Sequence, residues 1–147
     1  LLSGLTAIYY LFNSYWLFTL FALLHLLFDG LDGVVARIVG PTLNGKYFDL
    51  GTDTLISILS IIKVAQFLGD SYAYIVVILF TVAVIIHFLT KFNAPIIFIR
   101  TVSLIVLIIG SFPGFPLTTE LFTLGYLVVG SLAVYSLARQ LQYFTQN

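Results

Sequence analysis

The 147-residue sequence has no cysteine and no methionine, and charged side chains make up only 8% of it. Without cysteine there is no disulfide, no thiolate nucleophile and no cysteine-ligated zinc, so any metal must sit on oxygen or histidine. The six acidic and six basic residues cancel, which removes the overall basic field that gathers nucleic acid. No polar stretch is long enough to surface a second, water-facing domain, and residues 1–147 read as one domain. The absence of methionine, with Leu1 in first place, points to an incomplete amino-terminal segment.

What the chain has instead is apolar length. It is 61% hydrophobic and 16% aromatic, with a mean hydropathy of +1.12, far from the composition of water-soluble domains. A membrane-crossing helix needs about 20 mainly apolar residues, and Gly, Pro, Asn and charge divide the chain into six such segments. The first, Leu1 to Phe12, is too short to cross and ends at Asn13-Ser14, as a helix truncated at its start would. The second runs from Tyr15 to about Arg37. Gly40-Pro41 and Asn44-Gly45 are expected to make a turn before the third, Lys46 to Leu68, which stops at Gly69-Asp70. The fourth covers Tyr72 to Lys91, Pro95 is expected to open the fifth, which ends near Ser111, and the sixth spans Thr118 to Arg139. The fold class expected is an all-α membrane protein, a six-transmembrane-helix bundle with its first helix truncated. Alternating the segments brings Arg37, Lys46, Lys91, Arg100 and Arg139 to one face, with Lys63 alone in disagreement, and the positive-inside rule makes that face cytoplasmic.

Four of the six acids crowd into the 25 positions from Asp29 to Asp53. A carboxylate deep in a membrane helix costs about 2.5–3.5 kcal/mol on insertion scales, so four of them need compensation. Asp29 and Asp32 are three apart and Asp49 and Asp53 four apart, which puts each pair on one face of its helix. Along the α-helical rise, Asp32 lies about 7 Å before Arg37 and Asp49 about 6 Å after Gly45, with Asp29 and Asp53 both about 12 Å in. Two antiparallel helices packed together are expected to bring all four into one cluster. Like charges so close force protonation unless cations balance them, and two divalent ions would balance four carboxylates. An oxygen-only ligand set favours hard ions, Mg²⁺ or Mn²⁺, and Mg²⁺ keeps coordination sites for substrate phosphates. Beside the acids, Gly33 and Ala36 leave either a groove for substrate or a surface for close helix packing.

The stretch resembles the signature of the CDP-alcohol phosphotransferase family: two acids three apart, Gly after the second, Ala-Arg two residues further, then Gly and two acids spaced by fours. Eight identities match, Asp29, Asp32, Gly33, Ala36, Arg37, Gly45, Asp49 and Asp53. The loop departs from it, with seven residues between Arg37 and Gly45 where the common form has eight; Gly40-Pro41 is expected to tighten it. The resemblance implies metal-dependent transfer of a substituted phosphate from a CDP-alcohol lipid, of CDP-diacylglycerol or CDP-archaeol type, to an acceptor alcohol with release of CMP. It implies Asp29, Asp32, Asp49 and Asp53 as ligands to two ions, with Asp53 also the base that takes the acceptor's proton. Asp29, Gly33, Ala36, Arg37 and Gly45 would bind the CDP moiety. It further implies a homodimer among membrane lipids, in phospholipid biosynthesis.

Outside the signature, Arg100 falls about 7 Å beyond Pro95 if the fifth helix starts there. It either binds an anionic group of the acceptor or snorkels to the interface. Lys91 and Arg139 read as interfacial anchors, Lys63 as a snorkelling or packing residue. His25, four before Asp29, is either a partner of that carboxylate or a bundle hydrogen bonder, and His87 reads likewise. A membrane prenyltransferase would need a second Asp-rich motif, and the later segments hold only Glu120. A cation channel or transporter is the alternative class, but it would distribute acids across the bilayer rather than at one end of one hairpin.

Overall fold

Polar breaks in an apolar chain set the helix ends. The computed structural model describes residues 1–40 and 42–146, so Pro41's part in the expected turn lies outside them. The described residues form six α-helices and no strand: α1 (Leu2–Tyr10), α2 (Tyr15–Val39), α3 (Leu43–Leu68), α4 (Tyr72–Leu89), α5 (Arg100–Gly110) and α6 (Thr118–Gln146). Gly40 (φ 96°) ends α2 and Gly69 (φ 66°) ends α3, left-handed conformations that only glycine adopts without a Cβ penalty. Asp70 starts α4 by accepting the Tyr72 N–H at 2.9 Å.

Two boundaries differ from expectation. Asn44-Gly45 is not a turn: the Thr42 hydroxyl accepts the Gly45 N–H at 3.1 Å, capping a helix that already begins at Leu43. Pro95 does not open the fifth helix. Residues 95–99 are neither helix nor strand, and α5 begins only at Arg100. Helical backbone is disfavoured just before a proline, and side chains of α4 and α6 take the polar groups that a helix would have paired internally.

The core is built in two directions. Ala7, Leu11, Phe18, Ala22, Ile56, Leu104 and Phe122 join α1, α2, α3, α5 and α6, while Ala65, Ala73, Val76, Tyr126 and Val129 lock α3 and α4 to α6. Glycines allow the close approaches that bundles in lipid depend on: a Cβ on Gly130 would lie 2.9 Å from Val76, and one on Gly110 2.4 Å from the Phe122 ring. The outward faces carry exposed Leu20, Leu23, Leu27, Ile78 and Leu127, as suits a hydrocarbon surrounding. Three helices, α2, α4 and α6, are long and apolar enough to cross a membrane; α1 and α5 are shorter, and the protein is a helical membrane protein.

The expectation that α2 and α3 pack directly on one another is corrected. They make no close backbone contact among the described residues; α1 and α5 each touch both. The two acid-bearing helices therefore diverge from their connection and leave a space between them.

Candidate metal centre

That space is a cavity of about 570 Å³. Asp29, Asp32, Gly33 and Ala36 on α2 line it, as do Gly45, Lys46, Asp49 and Thr52 on α3. Gly33 is open, with nothing within 4 Å of where a Cβ would stand. Of the two readings of Gly33 and Ala36, the structure has the groove and not the packing surface. Arg37 is exposed and is not on the cavity wall.

Asp29, Asp49 and Asp53 each place a carboxylate oxygen within 4.8 Å of the others. Asp29 and Asp53 are half-buried and Asp49 exposed, so the cluster grades from the protein interior to the open cavity. Asp32 shares the cavity wall but is not part of this trio. It stands one turn nearer the α2–α3 connection than Asp29.

Arg100 completes the deep end. Its Nη1 donates to Asp29 Oδ1 at 2.8 Å, its Nη2 to Asp29 Oδ2, and Nη1 also pairs with Asp53. Its side chain is only 7% exposed, so it does not snorkel. The unwound run explains how it gets there. With residues 95–99 unwound, α5 opens at Arg100 itself, whose guanidinium meets the deeper acids Asp29 and Asp53. A buried guanidinium held bidentate by one carboxylate and shared with a second is a strong charge-assisted arrangement. It also shows that this cluster requires positive charge. The guanidinium Nε is buried with no hydrogen-bond partner.

His25 lies one turn before Asp29, buried at 3% exposure on the cavity wall, and its Nε2 has no partner among the described residues. Lys46, which the sequence assigned only to one membrane face, lines the cavity, its Nζ 4.5 Å from the centroid of the Phe92 ring. Phe92 also packs on Tyr47, fastening the start of α3 to the turn after α4. Lys91 (φ 52°) and Phe92 (φ 69°) both take left-handed backbone there, uncommon for residues with a Cβ and held by these ring contacts. His87 hydrogen-bonds within the bundle, its Nδ1 donating to the Ala94 carbonyl.

A metal fits this donor set: three convergent carboxylates, oxygen-only and open on one side to the cavity, suit a hard divalent cation. The fold and the site together define a helical membrane protein with an acid cluster set between two diverging helices. The family model for CDP-alcohol phosphatidyltransferase matches residues 1–138. The chain belongs to that family, which transfers a phosphatidyl group from a CDP-alcohol. No curated protein and no solved structure matches it.

Proposed function

We propose that the protein transfers a lipid phosphoryl group from a CDP-alcohol, of CDP-diacylglycerol or CDP-archaeol type, to the hydroxyl of a small polar acceptor, releasing CMP in phospholipid biosynthesis. The observation that carries this reading is the convergence of Asp29, Asp49 and Asp53 beside the cavity that Asp29 and Asp49 line, with the open backbone at Gly33, in a chain of this family.

Asp29, Asp32, Asp49 and Asp53 would hold two divalent ions, Mg²⁺ or Mn²⁺. Bound there, the ions supply charge neutralisation for the pyrophosphate and for the departing CMP. Gly33, Ala36 and Gly45 leave room for the CDP moiety between α2 and α3, with Asp29 beneath it and Arg37 at the rim. Asp53 takes the proton of the acceptor hydroxyl. The acceptor oxygen then bonds to the lipid-side phosphorus, and the bond from that phosphorus to the CMP oxygen breaks, its electron pair leaving with CMP. Arg100, with its buried Nε unpartnered, meets an anionic group on the acceptor.

In this reading α2 to α6 cross the bilayer, and α1 is a truncated first helix. The unwound residues 95–99 and the eleven of α5 together span up to about 33 Å, close to the hydrocarbon thickness of about 30 Å. The positive-inside rule, applied to Arg37, Lys46, Lys91 and Arg139, supports a cavity on the cytoplasmic side, and in this reading the protein works as a homodimer among membrane lipids. The test is a panel of acceptors, inositol phosphate, glycerol phosphate, serine and aminoalcohols, incubated with purified protein, Mg²⁺ or Mn²⁺ and either donor. The expected result is CMP release and a product of matching mass with one acceptor class; donors left intact with every acceptor would refute it.

A further inference from the structure

Residues 95–99 are unwound, so their backbone N–H and C=O groups lack the partners that a helix would give them. Two of these groups find side-chain partners on α6. Gln140 of α6, 1% exposed, donates from Nε2 to the Pro95 carbonyl at 3.1 Å and to the Ala83 carbonyl of α4 at 2.8 Å. Ser136, one turn earlier on the same face, accepts the Ile97 N–H at 3.2 Å while donating to the Leu132 carbonyl at 2.8 Å. Thr90, just after α4, accepts the Ala94 N–H at 3.1 Å.

We infer that Gln140, seconded by Ser136, is a positioning residue for Arg100: it pins the unwound segment so that α5 begins with its guanidinium inside the carboxylate cluster. A slip of one residue in an extended run moves the chain by about 3.3 Å. That is more than the 2.8 Å bond from Arg100 to Asp29 can absorb. The amide orientation supports the assignment. Gln140 Oε1 is buried without a partner, a desolvation cost accepted while both Nε2 hydrogens go to carbonyls that only a donor can serve. The inference rests on the proposed centre only in giving Arg100 a role there; its placement stands on the contacts above.

The test is arginine labelling by phenylglyoxal in EDTA, followed site by site by peptide mass spectrometry on the full-length protein in detergent. Arg37, exposed, is the internal reference, and thermal unfolding of each variant checks the fold. Arg100 in the wild type labels far more slowly than Arg37. Gln140→Met, nearly the same size without the donors, speeds Arg100 labelling about fivefold, the scale of one lost hydrogen bond, and leaves Arg37 unchanged. Ser136→Ala does so to a smaller degree, and Ser136→Thr, which keeps the hydroxyl, retains protection. Arg100 as protected in Gln140→Met as in the wild type overturns the inference, as does an Arg100 that labels as fast as Arg37 in the wild type. If Gln140→Met does not fold, unchanged Arg100 labelling in Ser136→Ala overturns it in the same way. A parallel Mn²⁺ titration separates the two readings: wild type that binds no Mn²⁺ defeats the metal centre and leaves the labelling result standing.

Discussion

Replacing Arg100 with glutamine removes the one positive charge that the deep end of the cluster holds within the described residues. Removing one partner of a fully buried ion pair costs about 3–5 kcal/mol, because the other charge is left unpaired. Here the carboxylates keep some access to water, with Asp29 30% and Asp53 19% exposed against 7% for Arg100. Water and proton uptake relieve part of the penalty, so the expected loss is about 2 kcal/mol. For a chain of this size about 1 kcal/mol moves a thermal midpoint by roughly 2–4 °C, giving a drop of about 4–8 °C. The assay is thermal unfolding in detergent, run once in EDTA and once in saturating Mn²⁺. In EDTA the variant should melt earlier by that amount. In Mn²⁺ the gap should narrow, because the ion supplies the charge that the guanidinium no longer does. Equal midpoints in EDTA, or a deficit unchanged by Mn²⁺, would refute the reasoning that Arg100 and a divalent cation answer the same carboxylates.

Gly33→Leu, at a position with nothing within 4 Å of its Cβ site, should leave the melting temperature unchanged. It should raise the donor KM about tenfold, the effect of a 1–3 kcal/mol overfilling of the groove; a fall in stability without a KM change would restore the packing role. Asp49→Asn should weaken Mn²⁺ binding by about tenfold or more, and Asp32→Asn less, since Asp32 stands outside the trio; a calorimetric titration in the opposite order contradicts the geometry. At the other end of the bundle, the hydroxyl of Tyr126 and the Tyr72 N–H hold the Asp70 carboxyl below its ordinary value, Tyr126 foremost. A carboxyl lowered on folding adds stability above its unfolded pKa of about 3.9 and loses it as pH falls through the folded value. The stability gap between wild type and Tyr126→Phe should therefore be present at neutral pH and close as pH drops below about 4; a gap that widens there is inconsistent with this bond.

The helices and the acids were legible in the sequence because both follow local rules. Gly69-Asp70 stops α3 where it was expected to stop, and the three- and four-residue spacings of the aspartates put Asp29, Asp49 and Asp53 within reach of one another. The path of the chain after α4 was not legible. Pro95 marks a helix start and a helix stop with equal local logic, and its carbonyl is bonded by Gln140, more than forty residues away. Ser136 and Gln140, four apart on one face of an apolar helix, were the available signal for a backbone in need of partners. Nor does periodicity report that α2 and α3 diverge, because helix spacing fixes which residues share a face and not how far the facing helix stands. That separation opens the cavity, and Asp32 lines it outside the trio.

The central claim, that these aspartates serve phosphoryl transfer, is tested most directly by CMP release from the donor, with its acceptor, in Mg²⁺ or Mn²⁺. Wild type and Asp53→Asn are to be compared at equal amounts of folded protein. The account predicts metal-dependent release by the wild type and a loss of about 10²–10⁴-fold in the variant, the range for removing a general base. Full turnover by Asp53→Asn contradicts it.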